Sequence, residues 1–222
     1  MDSISCVICG GNTFEPAYGG RVGPNGGGPL CKGCGSVERH RVVFAIYQRI
    51  KTVTQKSRAL QFAPDVSVEK TNFQSYTGST YNGENSMDMT NTNLPSGSFD
   101  IVLSNHVLEH VQDDVAALKE CLRLVGDTGF VHICVPSPSY WPFTDDWGYA
   151  DESKAFHFRH YGGDIGYNLT QKMPGIKCMS IVGRDVVTDA NDAVFFFASS
   201  DAPLRQISTK MTASEFTCIK VA

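Results

Sequence analysis

The sequence predicts an α/β fold: a parallel or mixed sheet with helices on both faces, preceded by a small ribbon closed by a metal. Three observations carry this. Short runs such as Phe99–Ser104 and Phe130–Val135 are apolar on both faces, as strands covered on both sides must be. Those runs alternate with stretches of helical period, which is the pattern of βαβ units. Ahead of them stand two C-x-x-C pairs, Cys6/Cys9 and Cys31/Cys34.

Residues 1–35 read as the ribbon. A reducing compartment is the default for this chain, because its start, MDSISCVICG, has neither the basic nor the apolar region of a secretory signal. A cytoplasmic protein is therefore expected. There, two C-x-x-C pairs point to a tetrahedral zinc site rather than to disulfides, with Cys6, Cys9, Cys31 and Cys34 as ligands. Four thiolates leave no open position, so the zinc would be structural. Gly10, Gly11 and Gly35 supply the freedom that tight knuckles need. Cys121, Cys134, Cys178 and Cys218 read as core residues. The glycine-rich GGRVGPNGGGP, residues 19–29, lacks the Gly-Lys-Ser/Thr of a phosphate loop and reads as a mobile ribbon loop.

Residues 36–200 read as the main domain. A helix is expected over 36–53, capped by Ser36, with Val43, Ile46, Tyr47 and Ile50 on one face. Its charged start, Glu38-Arg39-His40-Arg41, reads either as a solvated helix end or as a substrate-facing or interdomain patch. A strand over Arg58–Ala63 ends at Pro64, and Asp65 would cap a short helix through Glu69. Further strands are expected at 73–77, Phe99–Ser104, Phe130–Val135, Ile176–Val182 and Ala193–Ser199, and helices at Asp113–Val125 and Gly163–Met173. Eight aromatics crowd an expected long loop over 140–161, and residues 201–222 read as a weakly patterned tail.

Function enters through the strand ends. Open α/β sheets bind ligands beyond the carboxyl ends of their strands. That rule lines up Ala63-Pro64-Asp65, Asp88, Asn105-His106 and Pro136 on one rim. The run SFDIVLSNHVLEHVQDD, residues 98–114, empties a buried strand into Asn, His, Glu and His where a plain connection would use Gly, Ser and Pro. A net charge of −4, and only Arg21 and Lys32 as basic residues in 1–35, argue against a nucleic-acid partner. No apolar run approaches the ~18 residues of a membrane span, so none is expected.

The stretch MDMTNTNLPSGSFDIVLSNHVLEHVQDDVAALKECLRLVGDTGFVHICVP resembles class I S-adenosylmethionine-dependent methyltransferases of the type 11 group. GSVERHR (35–41), FAPD (62–65) and Arg159-His160-Tyr161-Gly162 resemble further features of relatives that carry an N-terminal cysteine ribbon. The resemblance implies a Rossmann-like methyltransferase sheet and S-adenosylmethionine as cofactor. It places Asp88 and Met89 on the adenine, and Asn105 and His106 by the methionine part and the transferred methyl. Gln61, Phe62, Ala63, Pro64 and Asp65 would lie against the carboxypropyl group and ribose. The chain departs from the family where a glycine loop is usual, and Ser79 stands where the ribose-binding acid is usual.

The expected reaction moves a methyl group to an oxygen or nitrogen of a small-molecule or glycan acceptor, under the aromatic loop. His106, His110, His157 and His160 are the candidate bases, in that order. A metal-dependent reaction is not expected, since Asp113-Asp114 reads as a helix start. The aromatic loop also reads as a dimer surface, which leaves a homodimer open. The degenerate ribose position keeps a second reading alive, a catalytically silent methyltransferase-like scaffold.

Overall fold

A computed structural model describes residues 4–83, 85–136 and 138–222, so Met1-Asp2-Ser3, counted above with the ribbon, lie outside the described residues. The ribbon holds β1 (Phe14–Glu15) and β2 (Leu30–Cys31), paired antiparallel. Then follow α1 (Glu38–Arg49), α2 (Lys51–Thr54), β3 (Arg58–Phe62), β4 (Ser75–Ser79), β5 (Ile101–Asn105), α3 (Asp114–Val125) and β6 (Phe130–Cys134). The remainder is β7 (Asp145–Asp151), β8 (His157–His160), α4 (Ile165–Lys172), β9 (Lys177–Arg184), β10 (Asn191–Ala198), α5 (Asp201–Ser208) and β11 (Phe216–Lys220).

Seven strands form the main sheet in the order β11-β9-β10-β6-β5-β3-β4. β4, β3, β5 and β6 run parallel, while β10 is antiparallel to both β6 and β9. The chain leaves β3 toward β4 on one side, then crosses back to β5 on the other. The rim beyond β3 and β5 is therefore the topological switch point, where such sheets open a crevice. Alternation along the strands divides the core. Ile101 and Leu103 join Ile46, Tyr47 and Ile50 of α1 and Leu204 and Ile207 of α5 on one face. Val102, Val131 and Ile133 join Leu118 and Leu122 of α3 and Leu169 of α4 on the other. No helix among the described residues is long and apolar enough to cross a membrane.

Several sequence expectations shift. The helix expected over 36–53 begins at Glu38 and breaks at Ile50, whose φ of −91° and ψ of 10° leave the helical region. Ser36 does not cap it; its hydroxyl lies 3.4 Å from Cys6 Sγ and 3.2 Å from Cys34 Sγ. Asp65 starts no helix and instead accepts from the Ser67 backbone N–H in a tight turn. The second strand runs two residues later than expected and ends on Ser79. The loop 19–29 is docked rather than mobile, for Asn25 Nδ2 donates to the Val187 carbonyl at 3.0 Å and the Asn25 N–H to the Thr188 carbonyl at 3.3 Å. Half of the aromatic loop is the β7–β8 hairpin. The segment 201–222 is no tail: α5 packs into the core and β11 adds an antiparallel edge to β9.

The charged start of α1 is the joint between ribbon and sheet. Arg41 is fully buried, with its Nε and NH2 on the two carboxylate oxygens of Asp185 at 2.7 and 2.8 Å. Its NH1 donates to the Pro29 and Ser36 carbonyls at 2.8 and 3.2 Å. Glu38 receives both terminal nitrogens of Arg21 from the ribbon loop. His40 Nδ1 accepts from the Val37 N–H at 3.1 Å. The patch is therefore not a solvated helix end: Glu38 and Arg41 tie the ribbon to the sheet.

Candidate active site and metal centres

The two C-x-x-C knuckles fold alike. The Gly10 N–H reaches the Cys6 carbonyl and the Gly35 N–H the Cys31 carbonyl, both at 2.8 Å. Gly10 (φ 75°) and Gly35 (φ 72°) follow the second cysteine of each knuckle in the left-handed conformation that favours glycine. The turns bring the sulfurs of Cys6, Cys9, Cys31 and Cys34 within 4.8 Å of one another, with Cys6–Cys34 at 3.8 Å and Cys9–Cys31 at 3.5 Å. A tetrahedral zinc with bonds of about 2.3 Å sets its sulfurs about 3.8 Å apart. The four cysteines fit such an ion, and the Ser36 hydroxyl is placed to donate its one proton to the thiolate of either Cys6 or Cys34.

Beyond the parallel strands lie two hollows, on either side of the end of β5. The first, about 620 Å³, takes Phe62 and Ala63 from the end of β3, Ser79 from the end of β4, Asp88 and Met89 from the following loop, and His110. The second, about 710 Å³, takes Arg21 from the ribbon loop, Arg39 from α1, His106, Tyr140, Trp141 and Asp192 from β10. Both volumes lie within the roughly 300–1,000 Å³ of small-ligand sites.

The candidate residues divide between lining and support. Phe62, Ala63, Ser79, Asp88 and Met89 line the first hollow. Ala63 reaches it in a left-handed conformation, φ 48°, where a glycine would sit without strain. The Ser79 hydroxyl oxygen accepts from the Met87 N–H at 3.1 Å, so the serine braces the 79–87 loop and keeps its proton and one lone pair to offer a ligand. Asp88 accepts from the Thr90 N–H and hydroxyl. Gln61 is turned to the opposite face, fully buried, where its Oε1 receives the Tyr76 hydroxyl at 2.9 Å. Pro64 packs against Gly78 of β4. Asn105 also faces away: its Nδ2 donates to Ser67 Oγ at 2.8 Å and its Oδ1 meets His132 Nε2 at 2.9 Å, tying β5 to the turn after β3 and to β6. Asp65 belongs to the same knot, 3.3 Å from Asn105 Nδ2.

The histidines gather where the hollows meet. His106 directly follows β5 at φ 53°, left-handed, and lines the second hollow. Its Nδ1 stands 3.7 Å from Glu109 Oε1, and its Nε2 is buried without a partner. Burial and the positive charge of Arg39 hold His106 neutral, down at about 2. Glu109 is 1% exposed, and burial pushes it up to about 8. The His110 ring meets that of His157 edge-on at 4.5 Å, and His157 meets His160 at 5.7 Å. Burial, then the neighbouring His110 and His160, lower His157 to about 4. His160 is exposed, with its ring 5.0 Å from that of Trp147.

Sequence reasoning passed over Arg21 and Asp192. Asp192 was legible only as a residue ahead of an expected strand at Ala193. Because β10 runs antiparallel, its first residues come to the rim at which β5 and β6 finish. Burial raises Asp192 to about 7, against the pull of the Ala193 N–H and Arg39.

The family model described as a methyltransferase domain matches residues 30–133, from the second cysteine knuckle through β6. No curated protein matches the chain. Among solved structures, DesVI of Streptomyces venezuelae aligns at 13% identity over 73% of this chain and 94% of its own, TM-score 0.47. A putative sarcosine dimethylglycine methyltransferase from Galdieria sulphuraria aligns at 12% identity over 75% and 86%, TM-score 0.46. A possible histamine N-methyltransferase from Thermotoga maritima aligns at 12% identity over 72% and 91%, TM-score 0.42. Residues 30–133 thus match a methyltransferase-domain model, and they lie in a seven-stranded, Rossmann-like sheet behind a ribbon that gathers four cysteines.

Proposed function

We propose that the protein transfers a methyl group from S-adenosylmethionine to an oxygen or nitrogen of a small-molecule or glycan acceptor. One observation carries the reading: the end of β5 stands between two ligand-sized hollows, so a donor in one and an acceptor in the other would meet at His106 and Val107. The first hollow suits the nucleoside. Met89 and Phe62 offer apolar surface, and the Asp88 and Ser79 region offers polar groups. The second suits the acceptor, with Tyr140 and Trp141 as flat surfaces and Arg21, Arg39 and Asp192 as polar ones.

Methyl transfer from a sulfonium is an in-line displacement with an activated leaving group. The protein's task is to align nucleophile, methyl and sulfur and to exclude water, which can supply about 7–11 kcal/mol of the barrier. His106 offers the acceptor an unpartnered ring nitrogen at the wall of its hollow. Gln61 and Pro64 act from behind by tying β3 to β4, and Asp65 and Asn105 by tying the turn after β3 to the end of β5. The ribbon is proposed to hold one structural zinc on Cys6, Cys9, Cys31 and Cys34.

A silent scaffold is the alternative, and it too has a specific observation behind it. The ribose position holds a neutral Ser79 already engaged by Met87, where a carboxylate would make charge-assisted bonds. Calorimetric titration with S-adenosylmethionine, followed by methyl-transfer assays on a panel of sugars and phenols, separates the two. Binding with turnover supports the enzyme. Binding without turnover on any acceptor supports the scaffold, and absence of binding at millimolar cofactor defeats the methyl-transfer reading.

A further inference from the structure

We propose that Glu109, His110 and His157 form a second metal site, distinct from the ribbon, which takes a divalent cation of the zinc or manganese kind and presents it to an acceptor hydroxyl. One donor atom from each lies within 4.8 Å of the other two, within reach of a single ion. Two imidazoles and a carboxylate are a common donor set for such ions, and three protein ligands leave a position open for substrate. The four-thiolate ribbon site has no such opening.

The unoccupied donors point the same way. Glu109 is 1% exposed and its Oε2 has no hydrogen-bond partner. His157 Nδ1 is buried and unpartnered as well. A buried carboxylate oxygen without a partner is costly, and a side chain that only fastened the turn after β5 would have found one. A cation between Glu109 and the two histidines satisfies both groups at once. The backbone is consistent with this: Ala155 (φ 57°) and Phe156 (φ 61°) are both left-handed immediately before His157, so the hairpin is bent where it delivers that ring.

The position suggests the use. His110 lines the first hollow, and His106, 3.7 Å from Glu109, lines the second. An ion there sits where donor and acceptor meet. This role, though not the metal binding itself, rests on the methyl-transfer reading. A hydroxyl coordinated to the ion loses its proton to water more readily. Its oxygen lone pair then forms the bond to the methyl carbon while the carbon–sulfur pair returns to sulfur, leaving a neutral thioether. The acceptor class is thereby narrowed to oxygen nucleophiles.

The test uses the full chain with its ribbon zinc in place. Manganese is the probe, because it is a hard ion that thiolates bind poorly. Loss of the free-ion electron paramagnetic resonance signal should show one saturable Mn²⁺ per chain, displaced by Zn²⁺. His157→Ala, on a surface hairpin, and Glu109→Gln should each weaken it by more than about tenfold, since even outer partners of a metal site are worth roughly 10–100-fold. His160→Ala should leave it unchanged. No saturable Mn²⁺ or Zn²⁺ beyond the ribbon's zinc, or affinities unmoved by both substitutions, overturns the site. S-adenosylmethionine titrated into the same sample, before any manganese is added, keeps the two readings apart. Cofactor binding without a second metal removes only the ion, and metal binding without cofactor removes only the methyl transfer.

Discussion

Replacing Asp185 by alanine should loosen the ribbon from the sheet. In the native protein the Asp185 carboxylate accepts both Arg41 nitrogens and also the Thr188 N–H and hydroxyl, at 3.1 and 2.7 Å. Neither charged side chain is more than 1% exposed. Asp185→Ala removes all four bonds and leaves a buried guanidinium with only the Pro29 and Ser36 carbonyls as hydrogen-bond partners. Breaking a buried ion pair on one side costs about 3–5 kcal/mol. Against a typical total of about 5–15 kcal/mol, that is a large share. Urea unfolding followed by far-UV circular dichroism measures it as a drop in midpoint with little change in slope. Because Pro29 and Ser36 flank the second cysteine knuckle, a chromogenic chelator should also take zinc from the variant faster. The double change Arg41→Met with Asp185→Leu removes the stranded charge and should recover most of the loss. A cost below about 1 kcal/mol for Asp185→Ala, the range of an exposed pair, would refute the joint.

Other expectations follow from the same geometry. Ala63→Gly should raise stability slightly, by less than about 1 kcal/mol, because a left-handed alanine costs roughly 1–2 kcal/mol and glycine repays only part of that in chain entropy; an unchanged or lower melting temperature counts against the strain. Asp192 titrates near about 7 when folded and near about 4 when unfolded, so between those values the folded chain keeps a proton that the unfolded chain has lost. Its contribution to stability therefore falls as pH rises through that window, by up to about 1.4 kcal/mol per unit. Asp192→Asn, still facing Arg39, Glu38 and Arg21, should gain on the parent over the same range, and a pH-independent difference in urea midpoint would contradict this. Cys9→Ser should lower the ribbon's zinc affinity and leave the main sheet folded, read by metal analysis beside circular dichroism; full zinc retention would rule out the tetrahedral assignment.

The parallel half of the fold was legible because it obeys local rules. β5 and β6 are short, apolar on both faces and closed by polar residues or Pro136, so their existence and their rim followed from pattern alone. The knuckles were legible because cysteine spacing is a geometric statement. The antiparallel half was harder. Nothing in the run before Ala193 indicates strand direction, and direction alone decides that Asp192 reaches the second hollow. Residues 201–222 looked like a tail because α5 spans only eight residues and an edge strand with alternating exposure needs little apolar sequence. At the candidate site, residue type was readable but facing was not. Gln61 and Asn105 carry the right chemistry for a ligand, yet the two-residue period of the strand turns each of them to the α1 face. His110 and His157 stand 47 positions apart in the chain, and only the folded hairpin brings their rings together.

The docked loop 19–29 has a wider consequence. It supplies Arg21, Val22, Gly23 and Pro24 to the acceptor hollow and nothing to the hollow proposed for the nucleoside. On the proposed reading, substitutions in this glycine-rich segment should change which acceptor is admitted and leave the donor's hollow untouched.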